Sequence, residues 1–204
     1  MVGLLATARR AGADGGRLLL PVAGDVRGLP PGGPLAAAAL ECGEATVFTE
    51  ADLAVVPRSV AEGVLSWTVF SPGPLPLIGE PALSDAEHGL RGAVRQAATT
   101  LVELDVARHR PGVRAEIAEA LERRIRPPWP EGTPARTLRV LEQADEVEAI
   151  LRAADTDNFS GALSASVASA RSAALRPLFT AVREARRSAV AEAVRALTPR
   201  AGRR

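Results

Sequence analysis

The stretch SDAEHGLRGAVRQAATTLVELDVAR, Ser84 to Arg108, decides how the chain is organised. Leu90, Val94, Ala97, Leu101 and Leu104 recur at intervals of three and four, the spacing that lines one face of an α-helix, and Ala98 and Val102 widen the stripe. Ser84 followed three residues later by Glu87 reads as a capping box, and Glu87, Arg91 and Arg95 stack on the outer side. Gly89 and Gly92 each cost about 1 kcal/mol relative to alanine in a helix interior, so they predict a close backbone approach, to a sheet.

Ahead of this helix the pattern is strand-rich. Val2 to Arg10 predicts a short helix, broken by the glycines between Gly12 and Gly16. RLLLPV, Arg17 to Val22, predicts a strand with Leu18, Leu20 and Val22 on one face and Leu19 on the other. Pro34 to Cys42 reads as a helix with proline in its first turn and Gly43 as its stop. EATVFTEADLAVVP predicts two short strands joined by a polar turn at Thr49 to Asp52. In the last strand, Val64 to Phe70, Leu65, Trp67 and Val69 alternate with Ser66 and Thr68, which implies one wet face and a sheet covered on a single side. The proline-rich SPGPLPLIGEPA then acts as a stiff connector.

Behind the organising helix the pattern stays helical. Gly112 to Ile125 carries a Val113, Ile117, Leu121 and Ile125 stripe, and Thr133 caps a helix with Pro134 in its first position that runs to about Ala154. Phe159 to Leu197 is helical throughout, with a kink or break expected at Pro177. The fold class is therefore α+β: a small antiparallel or mixed sheet and a short helix over residues 1–80, then four or more helices over 81–204, expected to form one folded unit.

Composition narrows the function. The 204 residues carry a net charge of +1, and every basic residue is arginine, which removes lysine Schiff-base and lysine general-base chemistry. The same bias, with abundant alanine, glycine and proline, fits a bacterial genome of high GC content. Cys42 is the sole cysteine, so no intrachain disulfide or multi-cysteine metal site can form, and a cytoplasmic location is expected. LAAAAL, Leu35 to Leu40, is far too short to span a bilayer, and no membrane association is expected.

No stretch combines reactive residues at a catalytic spacing. Cys42 lies between Glu41 and Glu44 at a helix C-terminus, an environment that disfavours a thiolate. Asp105 and His109, four apart, are the one acid-imidazole arrangement, and they lack a third group. The loop Ala23 to Pro34 holds Asp25, Arg27 and Gly28 between a strand and a helix, a setting in which anions bind, although it matches no phosphate-binding motif. Asp155 and Asp157 have the spacing of a calcium loop, but Ser160 stands where glycine is needed and Ser166 where a bidentate glutamate belongs. Neither a cofactor nor a metal is expected.

Charge distribution says more. From Arg171 onward nine arginines face two glutamates, a surplus of seven positive charges, and the first 170 residues carry a deficit of six. Arg183, Arg186, Arg187, Arg195 and Arg200 could contact nucleic acid. They could equally pair with the acidic residues Glu142, Asp145, Glu146 and Glu148 of the preceding helix, and the scarcity of aromatics favours that pairing. The leading expectation is a non-catalytic binding or protein-interaction module that self-associates through its helices. Nucleic-acid binding by the arginine-rich tail is second, and a small enzyme last.

Overall fold

A computed structural model describes residues 2–76, 78–103, 112–122, 128–156 and 165–198. The chain divides into two compact units, Met1–Glu80 together with Val190–Arg204, and Pro81–Ala189. The class is α+β, with a four-stranded antiparallel sheet in the first unit and helices filling the second.

The first unit contains α1 (Val2–Arg10), β1 (Arg17–Leu19), α2 (Pro34–Cys42), β2 (Ala45–Phe48), β3 (Leu53–Ala61) and β4 (Val64–Phe70), and the strands lie in chain order. Proline opens α2, and Gly43, at φ 77°, closes it by donating its N–H to the Ala39 carbonyl at 2.8 Å. The polar turn between β2 and β3 is a short 3-10 turn, Thr49–Ala51. Asp52 follows it, and its carboxylate accepts hydrogen bonds from the Ser71 hydroxyl and the Gly73 N–H.

Leu19, Ala45, Val47, Ala54 and Val56 face one way and pack with Leu35, Ala36 and Ala39 of α2 into a single core. Two strand readings change. β1 stops at Leu19 because Val22 and Asp25 exchange backbone hydrogen bonds at 3.0 and 2.9 Å, a tight turn that follows Pro21 at once. Leu19, not the Leu18/Leu20/Val22 side, is the residue that enters the core, at 0% exposure. β3 is longer than expected and runs through Pro57 to Ala61. Its pairing with β2 ends at Val55, so Pro57 lies where the strand has a partner on one side only.

The alternation of β4 is as read, but its apolar side is not the core side. Val56 pairs with Thr68 and Ala54 with Phe70, so Ser66, Thr68 and Phe70 share the core face, while Leu65, Trp67 and Val69 lie on the opposite one.

The second unit holds α3 (Leu83–Glu103), α4 (Val113–Glu122), α5 (Ala135–Thr156) and α6 (Ala165–Leu197) up to Ala189. Leu90 and Ala97 of α3 meet Val140, Ala144, Val147 and Leu151 of α5 and Leu175, Leu178, Val182 and Ala185 of α6, with Val94 and Leu101 packed at the margin. This is the expected stripe of the organising helix; Leu104 to Arg108 lie outside the described residues.

Two helix details differ from the expectation, and of the kink or break expected at Pro177 the break does not occur. α3 starts before Ser84: the Ala82 carbonyl accepts the Asp85 and Ala86 N–H groups, so Ser84 is inside the helix and the capping box does not form. Among the described residues nothing lies within 4 Å of a Cβ built on Gly89 or Gly92, so the inferred close approach is absent. Pro177 neither splits nor ends α6. Pro177 and Ala173, whose carbonyl would have received the missing N–H, are both exposed, so water can satisfy that carbonyl.

Candidate functional site

Among the described residues β4 is an edge strand, with no neighbour in the sheet on its outer side. Its seven residues, VLSWTVF, include no charge, and it is joined to β3 by the two-residue turn Glu62–Gly63, with Gly63 at φ 69°. Beyond Val55 the hairpin outruns β2, and apolar side chains along it stay open to solvent. Val60 is 58% exposed, Val64 51%, Leu65 55% and Val69 49%. Natural edge strands are usually blunted by charge, proline or an inward lysine, and β4 carries none of these. An edge of this kind offers backbone N–H and C=O groups to another strand, with apolar side chains to bury beside them.

The Asp25 loop is locally closed. Arg27 donates Nε and a terminal nitrogen to the two oxygens of Asp25 at 2.8 and 2.9 Å, so the two charges face each other. Gly28, at φ 86°, is buried, and a Cβ there would stand 2.6 Å from Ile78 Cδ1 and 2.8 Å from Leu19 Cδ2. Glycine at this point lets the loop close on the core, a packing demand that the sequence motif does not distinguish from a ligand cradle.

The arginines of α6 are distributed differently from a free basic face. A terminal nitrogen of Arg186 reaches Asp145 at 2.5 Å and Glu148 at 2.6 Å, with all three side chains less than one-fifth exposed. Burial works against the guanidinium's charge, and the hydrogen bonds of Glu148 and Asp145 outweigh it, holding the pKa above the ordinary arginine value. Arg187 is buried at 7% exposure, Arg183 is half-buried, and Arg195 pairs with Glu192 one turn earlier. Arg200, Asp105 and His109 lie outside the described residues.

Two features escaped sequence reasoning. Glu87, expected on the outer side, turns toward α5 and accepts from Arg136 while also pairing with Arg91. A cleft of about 370 Å³ in the first unit is bounded by Leu5, Ala8, Phe48, Val194 and Leu197, with Arg9 and Asp14 among its lining residues. No short motif signals it, because its walls come from segments far apart in sequence. Among the described residues no group of three histidine, cysteine, aspartate or glutamate side chains converges as a metal site, and no helix is long and apolar enough to cross a membrane.

Comparison with known proteins gives the chain its place. Residues 1–81 match the model of the N-terminal domain of Rv1486c-like proteins, and residues 84–187 match the model of their C-terminal domain. The chain belongs to the Rv1486c-like family. It is 36% identical over 200 residues to the uncharacterized protein Rv1486c of Mycobacterium tuberculosis strain H37Rv, an alignment covering 85% of this chain and 68% of that protein. The uncharacterized protein ML1804 of Mycobacterium leprae is 34% identical over 197 residues, covering 85% and 66%. MAV321 of Mycobacterium avium, also uncharacterized, is 34% identical over 242 residues, covering 93% and 77%. No solved structure matches. The two Rv1486c-like domain models meet between residues 81 and 84, beside the Glu80/Pro81 boundary of the two compact units.

Proposed function

We propose that this Rv1486c-like chain is a non-catalytic protein-interaction module of the cytoplasm that self-associates. One observation carries the reading: an uncharged edge strand with Val64, Leu65 and Val69 about half exposed, on a hairpin that extends past its neighbouring strand. Apolar surface left on a strand edge is a standing invitation to strand addition, and a chain that kept it solely as surface would carry an aggregation hazard. The sequence places association on the helices. The apolar stripes of α3, α5 and α6 instead pack against one another, which leaves β4 as the better-supplied surface.

Nucleic-acid binding is the weaker reading, because Arg186 and Arg195 are engaged by carboxylates and Arg187 is buried. Sedimentation equilibrium of the full chain across a wide concentration range tests the proposal. A mass that rises with concentration and persists at high salt supports it; a monomer at every concentration refutes it.

A further inference from the structure

The chemical character of β4, apolar or hydroxyl, is symmetric about its centre. About Trp67 the residues fall into matched pairs: Ser66 with Thr68, Leu65 with Val69, and Val64 with Phe70. An antiparallel pair of identical strands related by a two-fold axis perpendicular to the sheet opposes residue i to the residue equally far beyond the axis. With the axis at Trp67, every apolar residue meets an apolar one, every hydroxyl meets a hydroxyl, and tryptophan meets tryptophan. The strand also ends symmetrically. Val64 meets Phe70 of the second copy, so all seven residues pair and none overhangs.

Neighbouring registers are worse. An axis at Ser66 sets Val64 against Thr68 and leaves Val69 and Phe70 unpaired; an axis at Thr68 sets Ser66 against Phe70 and leaves Val64 and Leu65 unpaired. Side-chain parity excludes an axis between residues, because opposed residues must project from the same face. Electrostatics agree, since β4 has no charge to oppose itself. The hairpin's Glu62 carboxylates would stand roughly 34 Å apart along the joined strands, about five residues on either side of the axis at 3.4 Å each.

We infer that β4 pairs antiparallel with β4 of a second copy about a two-fold axis at Trp67, joining two four-stranded sheets into one of eight strands. The inference rests on the reading of the chain as a self-associating module, and it specifies both the occupant and the register. On one face Leu65, Trp67 and Val69 of each copy form a joint apolar cluster; on the other, Ser66 and Thr68 hydroxyls lie opposite each other. Seven paired residues bury less than the roughly 800 Å² per partner of a standard interface, so the dimer is weak, with a dissociation constant on the order of 10–100 µM.

Two measurements on the full chain test it. In sedimentation equilibrium, Leu65→Lys raises the dissociation constant at least about tenfold, a loss of ~1.4 kcal/mol. Adding Val69→Glu restores association, because each lysine then faces a glutamate of the other copy. Leu65 and Val69 are both about half exposed, so these changes spare the core, and circular dichroism verifies the fold.

In a Cys42→Ser background, Ser66→Cys mixed with Thr68→Cys cross-links under mild oxidation to a heterodimer. In the proposed register these two Cα atoms lie about 5 Å apart, whereas either position stands about 8 Å from its own copy, beyond disulfide reach. A dimer that ignores Leu65→Lys, is not rescued by Val69→Glu, or cross-links without the Ser66/Thr68 preference overturns the register and leaves the interaction reading standing. A wild-type chain that stays monomeric to about 500 µM, well above the expected constant, overturns both.

Discussion

Arg136 of α5 donates Nε and a terminal nitrogen to one carboxylate oxygen of Glu87 in α3, at 2.9 and 2.7 Å. Glu87 is the more enclosed partner, at 14% side-chain exposure against 51% for Arg136. The pair ties the first turns of two helices that otherwise meet through Leu90, Ala97 and Val140.

Because Arg136 remains half in water, Glu87→Gln should cost the helical unit only about 0.5–1 kcal/mol at neutral pH. The hydrogen bond from Arg136 is the largest influence on the Glu87 carboxyl; burial opposes it, and the charges of Arg91, Arg136 and Arg139 add to it, leaving the pKa below the ordinary glutamate value. A carboxyl with a lowered folded pKa stabilises above its unfolded pKa and loses that contribution as pH falls through the folded one. Urea midpoints measured from pH 7 down to 3 should therefore decline less steeply in Glu87→Gln than in the parent.

Arg186→Met should be costlier, about 2–4 kcal/mol, since it removes the enclosed guanidinium that bridges the carboxylates of Asp145 and Glu148. Hydrogen exchange should then rise along α5 around those residues. A triple change, with Asp145→Asn and Glu148→Gln added, should recover part of the loss.

Gly28→Ala should destabilise the strand unit by about 1–3 kcal/mol, through the positive φ and the clash with Ile78 and Leu19. Ile78→Val added to it should relieve part of the clash. Asp25→Ala in the same loop removes the ion pair with half-exposed Arg27, worth about 1 kcal/mol, and leaves the packing around Gly28 intact. Thermal unfolding of the three variants separates packing from charge.

Pro177→Ala should stabilise α6 by about 1–3 kcal/mol, by restoring an N–H to the Ala173 carbonyl without disturbing a buried contact. Chemical denaturation reads the gain directly.

Much of this architecture was legible in residue patterns because its determinants are local. The stripe Leu90, Val94, Ala97 and Leu101, the Pro34 and Gly43 bounds of α2, and the alternation in β4 each follow from the periodicity or stereochemistry of a few adjacent residues. What was misread depends on distant partners. Ser84 and Glu87 have capping-box spacing, but Arg136, far along the chain, competes for the glutamate, and the helix starts earlier. Gly89 and Gly92 suggested a close approach that only the tertiary fold could supply, and among the described residues nothing approaches them. Gly28 has the opposite history: its need for a missing Cβ becomes visible only when Leu19 and Ile78 arrive around it. The apolar face of β4 looked like core because alternation reveals two faces without saying which one α2 will cover.

Val194 Cγ1 stands 3.0 Å from where a Cβ on Gly15 would be, and Leu197 and Thr198 line the same cleft as Leu5 and Phe48. The strand unit is thus assembled from two segments far apart in sequence, with the whole of Pro81–Ala189 synthesised in between. During translation its cleft lacks one wall until the residues after Val190 emerge from the ribosome, while every residue of the helical unit is already available. The strand unit is thus completed after the helical unit, so a nascent chain arrested before Val190 should expose the cleft to chaperones and proteases for as long as the arrest lasts.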